Sequence, residues 1–383
     1  MGRPYRILHL CDSLSVGGAE RLILGLAGQI DRERFAISVC GLGELRGNLL
    51  RPAFEALAVP VTVVGSRRFY DPAAFVAVAR LVRSQHVDLI HTHLTYADVV
   101  GRLVGRLTRR PVVSTLHNEP YDYDRQRLDR RLLQRLTARY AADRLVAVSE
   151  HLRGLYLKAW GLPAARVVTI MNAVPLDPFL AVPAPAASGD DAELVITTIG
   201  RLNPQKAHGL LLEAFRLVLA RYPQARLRLV GQGRLEQELR AQAAALGLEG
   251  RVRFEGVRSD VATVLAESDI FVLSSRWEGL PVTAVEAMAA ARPVVLTDVG
   301  GCRDLVEHGV NGMLVPPGDP QALAEALSTL AGAAALRRRL GLAARALARR
   351  DLGMAAFATR HEALYAELLR ARTGMVRRAS RAS

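Results

Sequence analysis

Short apolar runs alternate along the chain with longer stretches whose apolar positions recur at helical spacing. In the first half the runs are RILHLC (6–11), FAISVC (35–40), VDLIHTH (87–93), PVVSTLH (111–117), RLVAVS (144–149) and RVVTIM (166–171). Between most of them lie amphipathic segments such as ERLILGLAGQI. Near-continuous apolar runs predict strands covered on both faces, and their alternation with helices predicts a mostly parallel sheet. The Pro- and Ala-rich stretch LAVPAPAASGDDAE (180–193) breaks the pattern and reads as a linker. Alternation then resumes with LVITTIG (194–200), ARLRLVG (225–231), RVRFEG (251–256), DIFVLSS (269–275), RPVVLT (292–297) and NGMLV (311–315). The predicted fold class is α/β, with two doubly wound domains in tandem at 1–178 and 193–350 and a linker at 179–192. Ligands of open α/β sheets sit beyond the carboxyl ends of the strands, so a cleft faced by both domains is the expected site. The basic end, 373–383, is expected to lack regular structure.

Composition narrows the class. No run of about 18 apolar residues is present, so no transmembrane helix is expected. YRILHLC meets Asp12 too soon for a signal peptide. Cys11, Cys40 and Cys302 are widely spaced and suggest neither a disulfide framework nor a zinc site, which fits a reducing cytoplasm. The net charge of +14 favours anionic partners. Few aromatics sit among the basic residues, which argues against nucleic acid. Lysine occurs only at 158 and 206 in a chain that otherwise uses arginine, so the compact ammonium of Lys206 is conspicuous.

Three segments carry candidate chemistry. In RWEGLPVTAVEAM (276–288), Glu278 falls on the loop after a strand and Glu286 inside the helix opened near Pro281. Eight helical residues would separate the two carboxylates by roughly 12 Å. That spacing disfavours a hydrolytic dyad, whose carboxylates stand about 5 to 9.5 Å apart. It suits two acceptors gripping separate hydroxyl groups of a long ligand, with phosphates at the helix N-terminus around Gly279 and Leu280. In ITTIGRLNPQKAHG (196–209), Arg201 and Lys206 stand at a strand-to-helix turn and can reach one diphosphate. In SLSVGGAE (13–20), Gly17 and Gly18 open a helix and permit close backbone approach, without the full GxGxxG fingerprint. Weaker candidates are DYD (122–124) as a metal clamp, and His91 with His93 on one strand face, read as core or acceptor-side residues. Ser149 reads as a helix N-cap. His117 stands where its strand ends and is expected to meet a ligand.

Together GGAE, GRLNPQK, FEGV, DIFVLSSRWEGLPVTAVEAMA and GG…NGMLV resemble glycosyltransferase family 4, retaining nucleotide-sugar transferases of the GT-B fold, over residues ~5–335. The resemblance implies two Rossmann-like domains and a last helix, within 351–372, that returns to the first. It implies that Glu286 accepts the ribose hydroxyls and Glu278 the sugar hydroxyls. Arg201 and Lys206, with backbone at Gly279 and Leu280, would hold the diphosphate. Gly256, Val257 and Arg258 would flank the base, Gly17 and Gly18 would approach donor and acceptor, and His117 would touch the sugar. No metal or other cofactor is then required, and the nucleotide-sugar is a co-substrate. The sequence departs from the family pattern at Ala207, Ala291, Asp304 and Ala173, where glycine or, at 304, a longer acid is usual.

The expected activity is transfer from a nucleotide-sugar, UDP-sugar favoured, to a glycan or lipid-linked acceptor of a surface polysaccharide, lipopolysaccharide or glycolipid. The expected location is cytoplasmic, with peripheral contact at an anionic inner membrane face. The alternatives are a GT-B nucleotide-sugar epimerase and a non-catalytic nucleotide-sugar-binding relative.

Overall fold

The computed structural model describes residues 3–15, 18–43, 49–66, 71–118, 120, 128–185 and 193–379. Two compact units divide the chain: residues up to Ala173 together with Met354 onward, and Val174–Gly353. In the first unit, seven strands run as β1 Tyr5–Cys11, β2 Phe35–Gly41, β3 Val61–Val63, β4 Leu89–His93, β5 Val112–Leu116, β6 Arg144–Ala147 and β7 Val167–Thr169. They form one sheet in the order β3-β2-β1-β4-β5-β6-β7. The second unit holds β8 Leu194–Ile199, β9 Ala225–Val230, β10 Val252–Gly256, β11 Ile270–Leu273, β12 Val294–Thr297 and β13 Met313–Val315, ordered β10-β9-β8-β11-β12-β13.

Every strand pair is parallel. The central strands are buried along their length, as in β4, β5, β11 and β12, which is why they read as unbroken apolar runs. Strand order reverses between β1 and β4 in one sheet and between β8 and β11 in the other. These are the switch points where open α/β sheets bind ligands.

Three expectations need correction. The boundary falls at Ala173, not 178, because the chain after it is already built into the second unit. Val174 N donates to Leu352 O at 3.0 Å, and Leu176, Phe179 and Val182 are buried. The short helix Asp177–Leu180 packs on the helix Val282–Ala289. The strand β3, Val61–Val63, is missing from the predicted runs, because Pro60 interrupts the apolar stretch LAVPVTVV that holds it. The last helix runs Met354–Ala379, so much of the stretch read as an unstructured tail is helical. Arg, Met and Ala all propagate a helix well, and no proline interrupts them. Part of the linker, 186–192, lies outside the described residues.

The last helix belongs to the first unit. Phe357, Leu364, Tyr365, Leu368 and Leu369 join Ile7, Ile23 and Phe35 in one buried cluster. Glu362 accepts the Asp31 amide at 2.8 Å. Among the described residues no helix is long and apolar enough to cross a membrane.

Candidate functional site

In the second unit the segments leaving β8 and β11 lie side by side and are laced together. Arg276 N donates to Gln205 O at 2.8 Å, and Gln205 Nε2 to Trp277 O at 3.0 Å. Ser274 Oγ donates to Lys206 O at 2.9 Å. A turn at Pro204–Lys206 is capped by Asn203, whose side chain accepts the Lys206 amide at 3.2 Å. These bonds bring together Lys206 and Glu278, 72 positions apart: Lys206 Nζ lies 2.5 Å from Glu278 Oε1. The same oxygen accepts Ser275 Oγ at 2.5 Å, and Ser275 O accepts Thr297 Oγ1 at 2.6 Å. The two charged side chains keep only 14% and 6% of their surface exposed. Glu278 is therefore held in one orientation before any ligand arrives.

Gly300 and Gly301 make this possible. A Cβ on Gly300 would stand 1.9 Å from Glu278 O, and one on Gly301 would stand 1.7 Å from Gly279 O. Gly301 N donates to Glu278 O at 3.1 Å. Any side chain there would drive the glutamate loop away.

Glu286 sits within the helix Val282–Ala289, with Pro281 as its N-cap residue rather than in the first turn. Thr283 Oγ1 donates to Ile199 O at 3.1 Å and ties the start of this helix to the end of β8. The N–H groups of Val282 and Thr283 precede the first bond of the helix, Ala284 N to Pro281 O at 3.0 Å, and form its electropositive end. The Glu286 carboxyl is partly buried and has no side-chain hydrogen bond among the described residues. Burial pushes its pKa up to about 7.

The remaining predicted residues are placed as follows. Arg201 is exposed just beyond β8. Gly256 ends β10 at φ +66°, and its carbonyl accepts Gly231 N at 2.7 Å. Gly231 in turn lies against Gly200 O, only 2.0 Å from where its Cβ would be. Val257 is exposed, and Arg258 pairs with Asp260 at 2.6 Å and Glu255 at 3.2 Å. Gly279 and Leu280 follow Glu278 directly. In the first unit Gly18 opens the helix Gly18–Gln29 with open space where a Cβ would project. Gly17 and the DYD triplet lie outside the described residues. His117 follows β5 and is partly exposed. Ser149 caps the helix Glu150–Trp160 by accepting the Leu152 amide at 3.1 Å.

His91 and His93 are buried in β4, beside His9 of β1. Their ring nitrogens could share a metal ion by distance, lying within 4.8 Å of one another. Each nitrogen already has a protein partner, however. His9 Nδ1 meets His93 Nε2 at 3.0 Å, and His93 Nδ1 meets His117 Nε2 at 3.1 Å. Tyr365 Oη lies 2.6 Å from His91 Nδ1 and 3.4 Å from His9 Nε2, while His91 Nε2 meets Thr115 Oγ1 at 2.8 Å. Of the two expectations for His91 and His93, core or acceptor side, their burial and paired nitrogens correspond to the first.

Sequence reasoning missed Ser274 as a support of the lysine turn, and Ser275 and Thr297 as supports of the glutamate loop. Their only trace was a Ser-Ser pair closing an apolar run. It also missed His9, His361 and Tyr365, which reach the histidine cluster through strand register and the last helix.

Two family models match the chain: Glycosyltransferase Family 4 over residues 16–178 and Glycosyl transferases group 1 over residues 193–332. The phosphatidyl-myo-inositol mannosyltransferase of Mycobacterium leprae is 30% identical over 288 residues, covering 74% of this chain and 75% of that protein. The Escherichia coli UDP-Gal:alpha-D-GlcNAc-diphosphoundecaprenol alpha-1,3-galactosyltransferase is 26% identical over 340 residues, 84% of this chain and 87% of that one. Anabaena HepE in complex with UDP superposes with a TM-score of 0.79 at 25% identity, over 94% of this chain and 100% of that one. With both halves matched in order, the chain belongs to the family 4 glycosyltransferases and has the GT-B architecture of two Rossmann-like domains.

Proposed function

We propose that the protein transfers a sugar from a UDP-sugar, with retention of anomeric configuration and without a metal, to a glycan or lipid-linked acceptor of a cell-surface polysaccharide, lipopolysaccharide or glycolipid. The observation that carries this reading is the Lys206–Glu278 contact beside the Glu286 helix, at the reversal of the second sheet. The related structures named as complexes with UDP and UDP-glucose support the choice of donor. The galactosyltransferase relative supports a lipid-linked acceptor.

The chemistry follows from charge. Breaking the bond between the anomeric carbon and the diphosphate leaves positive charge on the sugar and negative charge on the leaving phosphate. Lys206, Arg201, the backbone at Gly279 and Leu280 and the helix N-terminus at Val282 stabilise that phosphate. An ammonium has three donors, so Lys206 can keep one on Glu278 and aim another at a phosphate oxygen. Glu278 then accepts sugar hydroxyls, Glu286 accepts ribose hydroxyls, and Gly256, Val257 and Arg258 flank the base. In the first unit, Gly18 and His117 are the proposed ligand contacts. The acceptor attacks from the face the phosphate leaves, with a phosphate oxygen taking its proton.

A peripheral position at the cytoplasmic membrane face is part of the same proposal. The helix Leu128–Ala141 exposes Leu128, Leu132, Leu136 and Tyr140 at 70%, 54%, 43% and 61%. Four residues apart, they form one apolar stripe, with exposed Arg131 and Arg135 beside it. Such a face suits an anionic bilayer surface.

The test is calorimetric titration of UDP and GDP with EDTA present, followed by NMR of the glycoside formed. UDP binding and an α-linked product from an α-linked donor support the proposal. GDP preference, a chelator-sensitive affinity or an inverted product would each refute the corresponding part.

A further inference from the structure

Four histidines of the first unit, His9, His91, His93 and His117, form one continuous hydrogen-bonded chain with Tyr365 and Thr115, and the proposed transfer chemistry uses only its His117 end. It runs from Thr115 Oγ1 to His91 (2.8 Å), Tyr365 (2.6 Å), His9 (3.4 Å), His93 (3.0 Å) and His117 (3.1 Å). Its residues come from β1, β4, the β5 region and the last helix. His9, His91 and Tyr365 are fully buried, His93 nearly so, and only His117 reaches the surface. His361 stacks on His91 with ring centroids 5.5 Å apart and holds its own proton on Nδ1, which faces the Phe357 carbonyl at 2.9 Å.

We propose that Tyr365, His9 and His93 act as positioning residues that fix His117 in its Nε2–H tautomer, leaving Nδ1 of His117 as a bare acceptor for a ligand hydroxyl. Proton counting limits the polarity of the chain. A neutral imidazole has one N–H and one lone-pair nitrogen, so each ring that donates at one end must accept at the other. All the rings are neutral at physiological pH, because burial pulls their pKa values far down, to about 3 at His9 and about 4 at His117. The chain therefore has two consistent polarities, and the orientation of any one link sets the rest.

Tyr365 decides between them. Its oxygen lies 2.6 Å from His91 Nδ1 and 3.4 Å from His9 Nε2. The short contact fits a phenolic O–H donor, and the long one fits a weak N–H donor. The opposite polarity would spend the stronger O–H donor on the 3.4 Å contact. Tyr365 thus donates to His91, whose Nε2–H donates to Thr115. His9 Nε2–H donates to Tyr365, His93 Nε2–H to His9, and His117 Nε2–H to His93. His117 Nδ1 is the one ring nitrogen of the chain left over, and it has no protein partner among the described residues.

The tautomer itself is independent of the transferase reading; only its use on a sugar hydroxyl rests on that reading. The test is long-range ¹H–¹⁵N NMR on the full chain with ¹⁵N-labelled histidine, the His117 signals being assigned from their loss in His117→Gln. The wild type is expected to show His117 neutral and protonated at Nε2. Tyr365→Phe removes the group that orients the chain and is expected to shift the His117 tautomer ratio toward Nδ1–H by roughly fivefold, the weight of one neutral hydrogen bond. A wild-type His117 protonated at Nδ1 overturns the proposal, whether or not the variant folds. So does an unchanged ratio in folded Tyr365→Phe. Neither result bears on UDP binding, which the calorimetric titration reads separately.

Discussion

Lys206 Nζ and Glu278 Oε1 stand 2.5 Å apart in a largely buried pair whose acid is also held by Ser275. Sequence reasoning gave these residues separate tasks, one at the diphosphate and one at the sugar. The contact makes them a unit. Removing either partner leaves the other charge poorly solvated. Lys206→Met and Glu278→Leu are each expected to cost about 2–4 kcal/mol in urea unfolding. The double variant Lys206→Met/Glu278→Leu is expected to cost clearly less than the sum of the two single losses. Additive losses in that cycle would show that the pair is not coupled.

Glu286 ties the nucleotide proposal to pH. Its carboxyl titrates near 7 because it is buried, against about 4.5 ordinarily. In the folded protein it holds its proton through a range where the unfolded chain has lost it. Its contribution to stability therefore falls as pH rises from about 4.5 to 7. Ribose hydroxyls donate to the ionised form, so UDP affinity is expected to rise with pH to about 7 and level off above it. Glu286→Gln should lose that rise relative to wild type, which separates it from titration of the UDP phosphate. Glu286→Ala should weaken UDP binding roughly ten- to a hundredfold. Equal affinities and parallel pH profiles in folded variants would remove Glu286 from the site.

The fold class and the donor-side segments were legible because their signals are local. Unbroken apolar runs between amphipathic stretches mark strands of a covered parallel sheet. A Glu-x₇-Glu segment after one strand and an Arg/Lys turn after another mark two loops. The loops' mutual contact was not legible, since it depends on β8 and β11 being neighbours across a crossover. The histidine chain was less legible still. His9, His91 and His93 meet through strand register, and Tyr365 arrives on a helix 272 positions after His93. A single sequence carries no periodicity for such a meeting.

Arg102 illustrates the same limit. No motif in the sequence marks it, yet it is fully buried and pairs with Asp98 at 3.0 Å. It also donates to Ser114 at 2.9 Å and Gln134 Oε1 at 3.1 Å. Burial raises the Asp98 pKa and Arg102 opposes the rise. Arg102→Ala is expected to destabilise the first unit by about 3–5 kcal/mol, through the stranded Asp98 carboxylate. Adding Asp98→Asn should recover part of that loss in chemical denaturation. A loss within about 0.5 kcal/mol would mean the network contributes little.

The apolar stripe on the helix Leu128–Ala141 gives the membrane proposal its own measurement. Leu132→Ser/Leu136→Ser is expected to weaken co-sedimentation with phosphatidylglycerol vesicles by about tenfold or more, given the cost of losing two lipid-buried leucines. UDP affinity should not change in the same variant. Retained sedimentation would move the contact elsewhere or abolish it.

Ala207 and Ala291 stand where the family pattern has glycine, and both adopt left-handed backbone, at φ +46° and +55°. That conformation costs an alanine roughly 1–2 kcal/mol. Glycine would relieve it, less about 0.4–1 kcal/mol for the freer unfolded chain. At Ala207, partly exposed and next to Lys206, the balance favours Ala207→Gly by about 0.5–1 kcal/mol in urea unfolding. At Ala291 the side chain is fully buried, and losing its methyl costs about 0.8 kcal/mol, so Ala291→Gly is expected to be near neutral. The same backbone angle thus predicts different outcomes, and the difference tests the strain itself. If Ala207→Gly destabilised as much as an ordinary loss of alanine, the turn that presents Lys206 would not be held in the left-handed region.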